Sequence, residues 1–276
     1  MSWHAQLQLD YSLENGRSVA RFLHDGPLRV LQSLYPEGDA VCHNVLVHPP
    51  GGLVGGDLLD VAVTVGADAH GLVTTPGATR FYRSNGEPAE QRVSVRLAHN
   101  ARLEWLPMEA IAHSGCDALN RAVFDLAPGA EVIGWDVTAL GLPGANAPFD
   151  TGHFAQHLEM TGHWLERGLI DAADARLLDG PLGLAGQRCI ATLFHLCGSN
   201  LTRERRDLAL ETARHCIDVH ALAATAGVTA PNARVVVLRV LSPMVEPAMS
   251  LLRQVWATWR LNLWNKEAIS PRIWST

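Results

Sequence analysis

A chain of 276 residues, 47% of them hydrophobic and 18% charged, has the apolar material for a sizeable core in one large domain or two small ones, which excludes a disordered chain. Its formal net charge of −6 leaves no basic excess to neutralise phosphates and excludes a general nucleic-acid binder. The opening residues lack a basic stretch followed by an apolar one, and no run reaches the ~18 apolar residues of a membrane-spanning helix. The expectation is a cytoplasmic protein with no membrane partner.

The first part of the chain reads as short strands. Residues 18–24 alternate apolar and polar side chains roughly with period two, 28–34 do so loosely, and 60–65 and 91–97 do so cleanly. Residues 101–106, 122–126, 131–137 and 152–159 extend the series. Turn formers separate the earlier strands, among them Pro36 to Asp39, Gly66 to Asp68, His99-Asn100 and Pro128-Gly129. Strands at roughly ten-residue spacing with turns between them predict a mainly β lobe over 1–180, layered or sandwich-like, with a β-helix-like two-layer arrangement as its variant.

A glycine-rich connection from Leu178 to Gly186 leads into a smaller α+β part, 181–276, packed with the first as one continuous domain. There a strand is expected over 188–196. A helix should follow over 202–226, with Leu210, Ala213, Ile217, Ala221 and Ala224 on one face. Ser199 or Asn200 would cap its start and Gly227 would end it. A strand over 235–241 and a second helix over 244–264, with Val245, Ala248, Leu252, Val255 and Trp259 on one face, complete the series.

Chemistry-bearing residues are sparse. The cysteines Cys42, Cys116, Cys189, Cys197 and Cys216 are odd in number and form no CxxC pair, which argues against a disulfide framework or a closed zinc site. In His48-Pro-Pro-Gly-Gly-Leu-Val-Gly-Gly-Asp57, the glycines Gly51, Gly52, Gly55 and Gly56 set a special backbone path. It reads either as a packed turn or as a loop whose N–H groups cradle an anion, and it matches neither the Walker nor the dinucleotide fingerprint. In Thr74 to Arg83, Pro76-Gly77 makes a turn and Arg80, Tyr82 and Arg83 follow on an expected strand. Glu104 and Trp105 should face opposite sides of a sheet, so a buried Trp105 would leave Glu104 exposed. Asp57, Asp136 and Glu166 are acids in apolar surroundings, and together they would line a polar interior path. His153 and His157 fall on one strand face about 13 Å apart, too far for one metal. Cys216 and His220 could share a helix face.

The strings His48 to Asp57, Thr75-Pro-Gly-Ala-Thr-Arg-Phe-Tyr-Arg-Ser84, Leu103-Glu-Trp-Leu-Pro107, Gly134-Trp-Asp136 with Leu140-Gly141, and Pro271-Arg-Ile-Trp274 resemble, in order and spacing, the urease accessory protein UreD family, called UreH in some organisms. The resemblance spans nearly the whole chain. It implies a mostly β fold with a helical part and no catalytic activity. It further implies a scaffold that binds apo-urease and UreF, with UreG joining through UreF. No cofactor would be held tightly, and nickel would pass transiently through an internal tunnel. Matching the motifs puts the tunnel acids on Asp57, Asp136 and Glu166. Met108 stands where the family often has Gln, and Leu142 where many members have Arg. The tryptophan-rich tail is read as a partner-binding face through Trp259, Trp264, Arg272 and Trp274, against a core reading for the same rings. A metal-dependent hydrolase with a His/Asp site, or a β module binding a small ligand on the glycine loop, are the competing readings.

Overall fold

The computed structural model describes residues 2–275. Strand β1 (His4–Glu14) alternates exposed and buried residues and turns Ala5, Leu7, Leu9 and Tyr11 inward. Asn15 and Gly16, both left-handed, make the two-residue turn into β2 (Arg17–Asp25), as tight hairpins require. Strand β3 (Arg29–Leu34) crosses to a second sheet and pairs antiparallel with β4 (Cys42–Val47).

From there the chain winds between the two sheets. After β5 (Gly52–Leu53), β6 (Leu58–Val65) lies parallel to β1 in the first sheet, and β7 (His70–Thr74) parallel to β4 in the second. The next circuit runs through β8 (Thr79–Phe81) to β9 (Ala89–Leu97) in the first sheet, then to β10 (Arg102–Leu106) and β11 (Ala110–Ala112) in the second. Strands β12 (Cys116–Leu126) and β13 (Glu131–Leu142) add a further coil. After β14 (Ala147–Pro148), β15 (Gly152–Met160) joins β12 in parallel and β16 (Trp164–Asp171) closes that edge antiparallel. Stacked coils of this kind make the β-helix-like two-layer variant the observed one.

The short helix α1 (Ala175–Asp179) leads to β17 (Cys189–Cys197), antiparallel to β13. Helix α2 (Arg203–Asp218), the hairpin β18 (Ala226–Asn232) and β19 (Val235–Ser242), and helix α3 (Val245–Trp264) finish the fold, followed by a 3-10 turn over Arg272–Ser275. The first sheet runs β16-β15-β12-β9-β6-β1-β2, and the main path of the second β18-β19-β17-β13-β10-β7-β4-β3. Among the described residues no helix is long and apolar enough to cross a membrane.

Helices α2 and α3 cover the outer face of the second sheet, so that sheet is buried on both sides. Eleven of the twelve residues of β13 are buried, as central strands covered on both faces require. Val132 and Leu140 point toward the first sheet, whereas Ile133, Trp135 and Val137 meet the helices.

Two expectations fail here for the same reason. Glu104 is fully buried although Trp105 on the opposite face is buried too, because the helix layer covers the side that sequence alternation assigns to solvent. Its carboxylate accepts from Trp256 Nε1 at 2.6 Å and lies 2.9 Å from His70 Nε2 and 3.5 Å from Arg260 Nε. Glu131 repeats the pattern one strand over. His195 is 3.0 Å away, Trp264 Nε1 donates at 2.5 Å, and Arg205 grips both oxygens at 2.5 and 2.8 Å. Glu37 ties His43 and Arg260, which hold its pKa down at about 2 although burial pushes the other way.

The tryptophans expected on a partner-binding face are therefore interior. Trp259 donates to the Ala209 carbonyl at 2.9 Å, and Trp264 holds Glu131. Trp274 is half-buried between the rings of Trp135 and Trp256 and donates to Thr74 Oγ1 at 2.8 Å. Of that group only Arg272 is exposed.

Helix α2 also stops earlier than expected. Thr202, not Ser199 or Asn200, is its cap, accepting from Arg205 N at 3.3 Å. Ala221, Ala224 and His220 lie beyond its end, so Cys216 and His220 share no helix face. Gly227 belongs to β18, whose pairing with the apolar strand β19 outweighs local helix preference.

Replacing Glu104 by alanine strands His70 Nε2 and the Trp256 N–H in the interior and leaves Arg260 to Glu37 alone. Glu104→Ala is expected to lower unfolding free energy by about 3–5 kcal/mol in urea denaturation, and Glu104→Gln, which keeps an acceptor, by clearly less.

Candidate functional site

The space between the two sheets is not uniformly apolar. Gln91 on β9, Asn120 on β12 and Gln156 on β15 occupy the same register, so three amides stack along the coil axis. Gln91 Nε2 donates to Asn120 Oδ1 at 3.0 Å, and Asn120 Nδ2 donates to Asp136 Oδ2 at 2.8 Å. Asp136, on the inner face of β13, also accepts from Gln156 Nε2 and, at 3.4 Å, from Thr138 Oγ1. Burial pushes its pKa up to about 6 against those donors, and the charge of Glu166 adds to the rise.

Asp136 and Asn120 line a chamber of about 20 Å³ with Thr75, Thr79, Gln91 and Trp105. That is room for a single water-sized body. A cleft of about 240 Å³ shares Leu46, Thr75, Thr79 and Gln91 with it and reaches His48, Gly51, Pro76 and Gly77. The last three are exposed. Beyond Asp136 the polar line continues through its register partner Thr192, which donates to Glu166 Oε1 at 3.4 Å. Glu166 is half-buried and paired with Arg239, whose Nε lies 2.9 Å from Oε2. Two of the three acids expected on a path, Asp136 and Glu166, are thus electrostatic neighbours.

Asp57 sits elsewhere, near the mouth. It is buried and accepts from Trp3 N at 3.2 Å and Val54 N at 2.9 Å, so it closes the glycine-rich turn. Its charge bears on His48, whose pKa is lowered by burial. The N–H groups that an anion cradle would need are already taken within the protein. The Gly51, Gly56 and Asp57 N–H groups bond to the carbonyls of His48, Pro88 and Val54. Gly51 and Gly56 have positive φ. A Cβ on Gly52 would lie 2.2 Å from the Tyr82 ring, and one on Gly55 2.2 Å from Ser84 Oγ. These glycines serve close packing.

Tyr82 and Arg83 lie past the end of β8 rather than on it, and Tyr82 stacks on His113 with centroids 4.8 Å apart. The Pro107 carbonyl accepts from Trp135 Nε1 at 2.6 Å and fixes one wall of the chamber. The His/Asp pairs a hydrolase reading would use, His4 with Asp60 and His153 with Asp171, stand 3.8 and 3.5 Å apart, all four side chains 42–49% exposed. Residues that sequence reading missed are Gln91, Asn120, Gln156 and Thr192. Their only signal was a polar side chain at a position that strand alternation turns inward.

Comparison with known proteins adds the following. The family model described as UreD urease accessory protein matches residues 4–275. Curated relatives named urease accessory protein UreD include one from Albidiferax ferrireducens, 67% identical over 275 residues, and one from Variovorax paradoxus, 65% identical over 276. A third, from Leptothrix cholodnii, is 56% identical over 278. Each alignment covers the whole of both chains.

The folded-state pKa of Asp136, about 6, lies above the roughly 4 of an unfolded aspartate. The folded protein therefore binds more protons in that window, and this residue's contribution to stability is present below about pH 4 and lost as pH rises through about 6. Asp136→Asn removes the titration. Its stability relative to the parent chain should rise by on the order of 2 kcal/mol between pH 4 and pH 7.5, read from urea midpoints.

Proposed function

This chain belongs to the UreD urease accessory protein family, and from that premise we propose that it acts in urease maturation as a non-catalytic scaffold that passes nickel to apo-urease along the polar line between its two sheets. In this reading it works in the cytoplasm, bound to apo-urease and to UreF, with UreG joining through UreF. The observation that carries the nickel path is the pair of adjoining cavities that runs from the His48 mouth to the buried carboxylate of Asp136.

The chemistry suits transit rather than storage. Nickel is held firmly by imidazole and thiolate and less tightly by carboxylate, amide oxygen and water. Asp136 is an anion at neutral pH in a site that disfavours the charge, so an arriving cation relieves it. Amide oxygens of Gln91, Asn120 and Gln156 offer neutral, exchangeable contacts on the way. The narrow chamber passes ions singly and only with their hydration shell reduced or the walls displaced. At the far end Arg239 competes with the ion for Glu166, which keeps that stop from becoming a trap.

The test is urease activation in cells that express the urease subunits and the other accessory proteins. This chain would be present, deleted, or carrying Asp136→Ala and Glu166→Ala, singly and together. Asp57→Ala is scored separately, because it also opens the glycine-rich turn. Deletion should abolish nickel incorporation, and the double variant should still assemble with UreF yet leave urease nickel-poor. Full urease activity without the chain would refute the role. A double variant that behaves as wild type would leave a scaffold with no metal path through these acids.

A further inference from the structure

The face of the second sheet turned toward the helices holds a second group of ligand-bearing side chains, which the path between the sheets does not use. His195 and Cys197 are two residues apart on β17 and so point the same way, and Glu131 on β13 is the register partner of Cys197. His195 Nε2 lies 3.0 Å from Glu131 Oε2 and 3.4 Å from Cys197 Sγ. One ligand atom from each residue falls within 4.8 Å of the other two, and all three residues are buried. A tetrahedral ion bonded at about 2.0 Å to nitrogen and oxygen and about 2.3 Å to sulfur holds its ligand atoms roughly 3.3 to 3.5 Å apart. The constellation is therefore close to a coordination sphere without rearrangement of the backbone.

We propose that Glu131, His195 and Cys197 form a binding site for one soft divalent transition-metal ion of the zinc and nickel class. Thiolate, imidazole and carboxylate together favour such ions over magnesium or calcium. The supporting contacts are those of a metal centre's outer shell: Arg205 and the Trp264 N–H fix the carboxylate of Glu131. Glu131 also lines a cleft of about 540 Å³ with His70, Arg102 and Lys266, which gives a route inward. The positive charges of Arg102, Lys266 and Arg205 oppose a free cation, so the site exchanges its ion rather than holding it permanently. Because Glu131 and Asp136 project from opposite faces of β13, this site stands or falls independently of the nickel path.

The purified full chain titrated with cobalt(II) tests it. One equivalent should bind, with a thiolate-to-cobalt charge-transfer band, and zinc or nickel should displace it. Cys197→Ser should abolish the band and weaken cobalt binding by on the order of tenfold or more. Cys216→Ser, which removes the half-buried thiol on α2, and Asp136→Asn should leave the band intact. Absence of a thiolate band in the parent chain, or its persistence in Cys197→Ser, overturns the proposal. Circular dichroism and melting accompany each variant. Should Cys197→Ser fail to fold, cobalt X-ray absorption of the parent chain decides, with one sulfur neighbour expected and none overturning the site.

Discussion

A sheet buried on both faces must find partners for two surfaces, and in this protein the second surface is held by carboxylates. Glu104 and Glu131 stand on neighbouring strands and face the helix layer, where each takes one tryptophan N–H of α3, one histidine of an adjacent strand and one arginine. Breaking such a group strands several buried polar atoms at once, so the clamp is far more sensitive to the loss of a member than an apolar contact of the same area. It also fixes where α3 sits along the sheet, because Trp256 and Trp264 are spaced to meet these two carboxylates. The position of the helix layer in turn covers β13 and β17 and closes the outer side of the metal-ligand group.

This constraint explains what could be read from the chain and what could not. Strands β6 and β9 alternate because one face meets the core and the other meets solvent. The sequence expresses that directly, and residues 60–65 and 91–97 are legible. Strand β1 alternates as clearly, and an expectation that began its strands at residue 18 overlooked it. Strand β7 is buried at all five positions, and β4 at four of six, so neither shows a period to read. The exposure expected for Glu104 and the docking role expected for Trp259 and Trp264 fail together, since both needed knowledge of which face α3 covers.

The polar line between the sheets shows a different limit. Asp136 stood out as an acid in an apolar strand, and that oddness is visible in one sequence. Its meaning depends on Asn120 and Gln156, which come beside it only because successive coils stack in a fixed register. No local pattern encodes that register. Asp57 shows the converse case: a motif position made distinctive by turn geometry, where the carboxylate serves two backbone N–H groups. On β13 itself, parity divides the chemistry. Asp136 and Thr138 supply oxygen atoms toward the first sheet, where the amides of Asn120 and Gln156 meet them, and Glu131 supplies an anion toward imidazole and thiol on the other side.

The last residues of the chain close this interior. Trp274 inserts against Trp135 and Trp256 and bonds to Thr74, the neighbour of Thr75 in the chamber wall, while Trp135 holds the Pro107 carbonyl in the same wall. The segment around Trp274 thus acts as a plug in the wall. Displacing the Trp274 ring therefore loosens the wall of the chamber from outside.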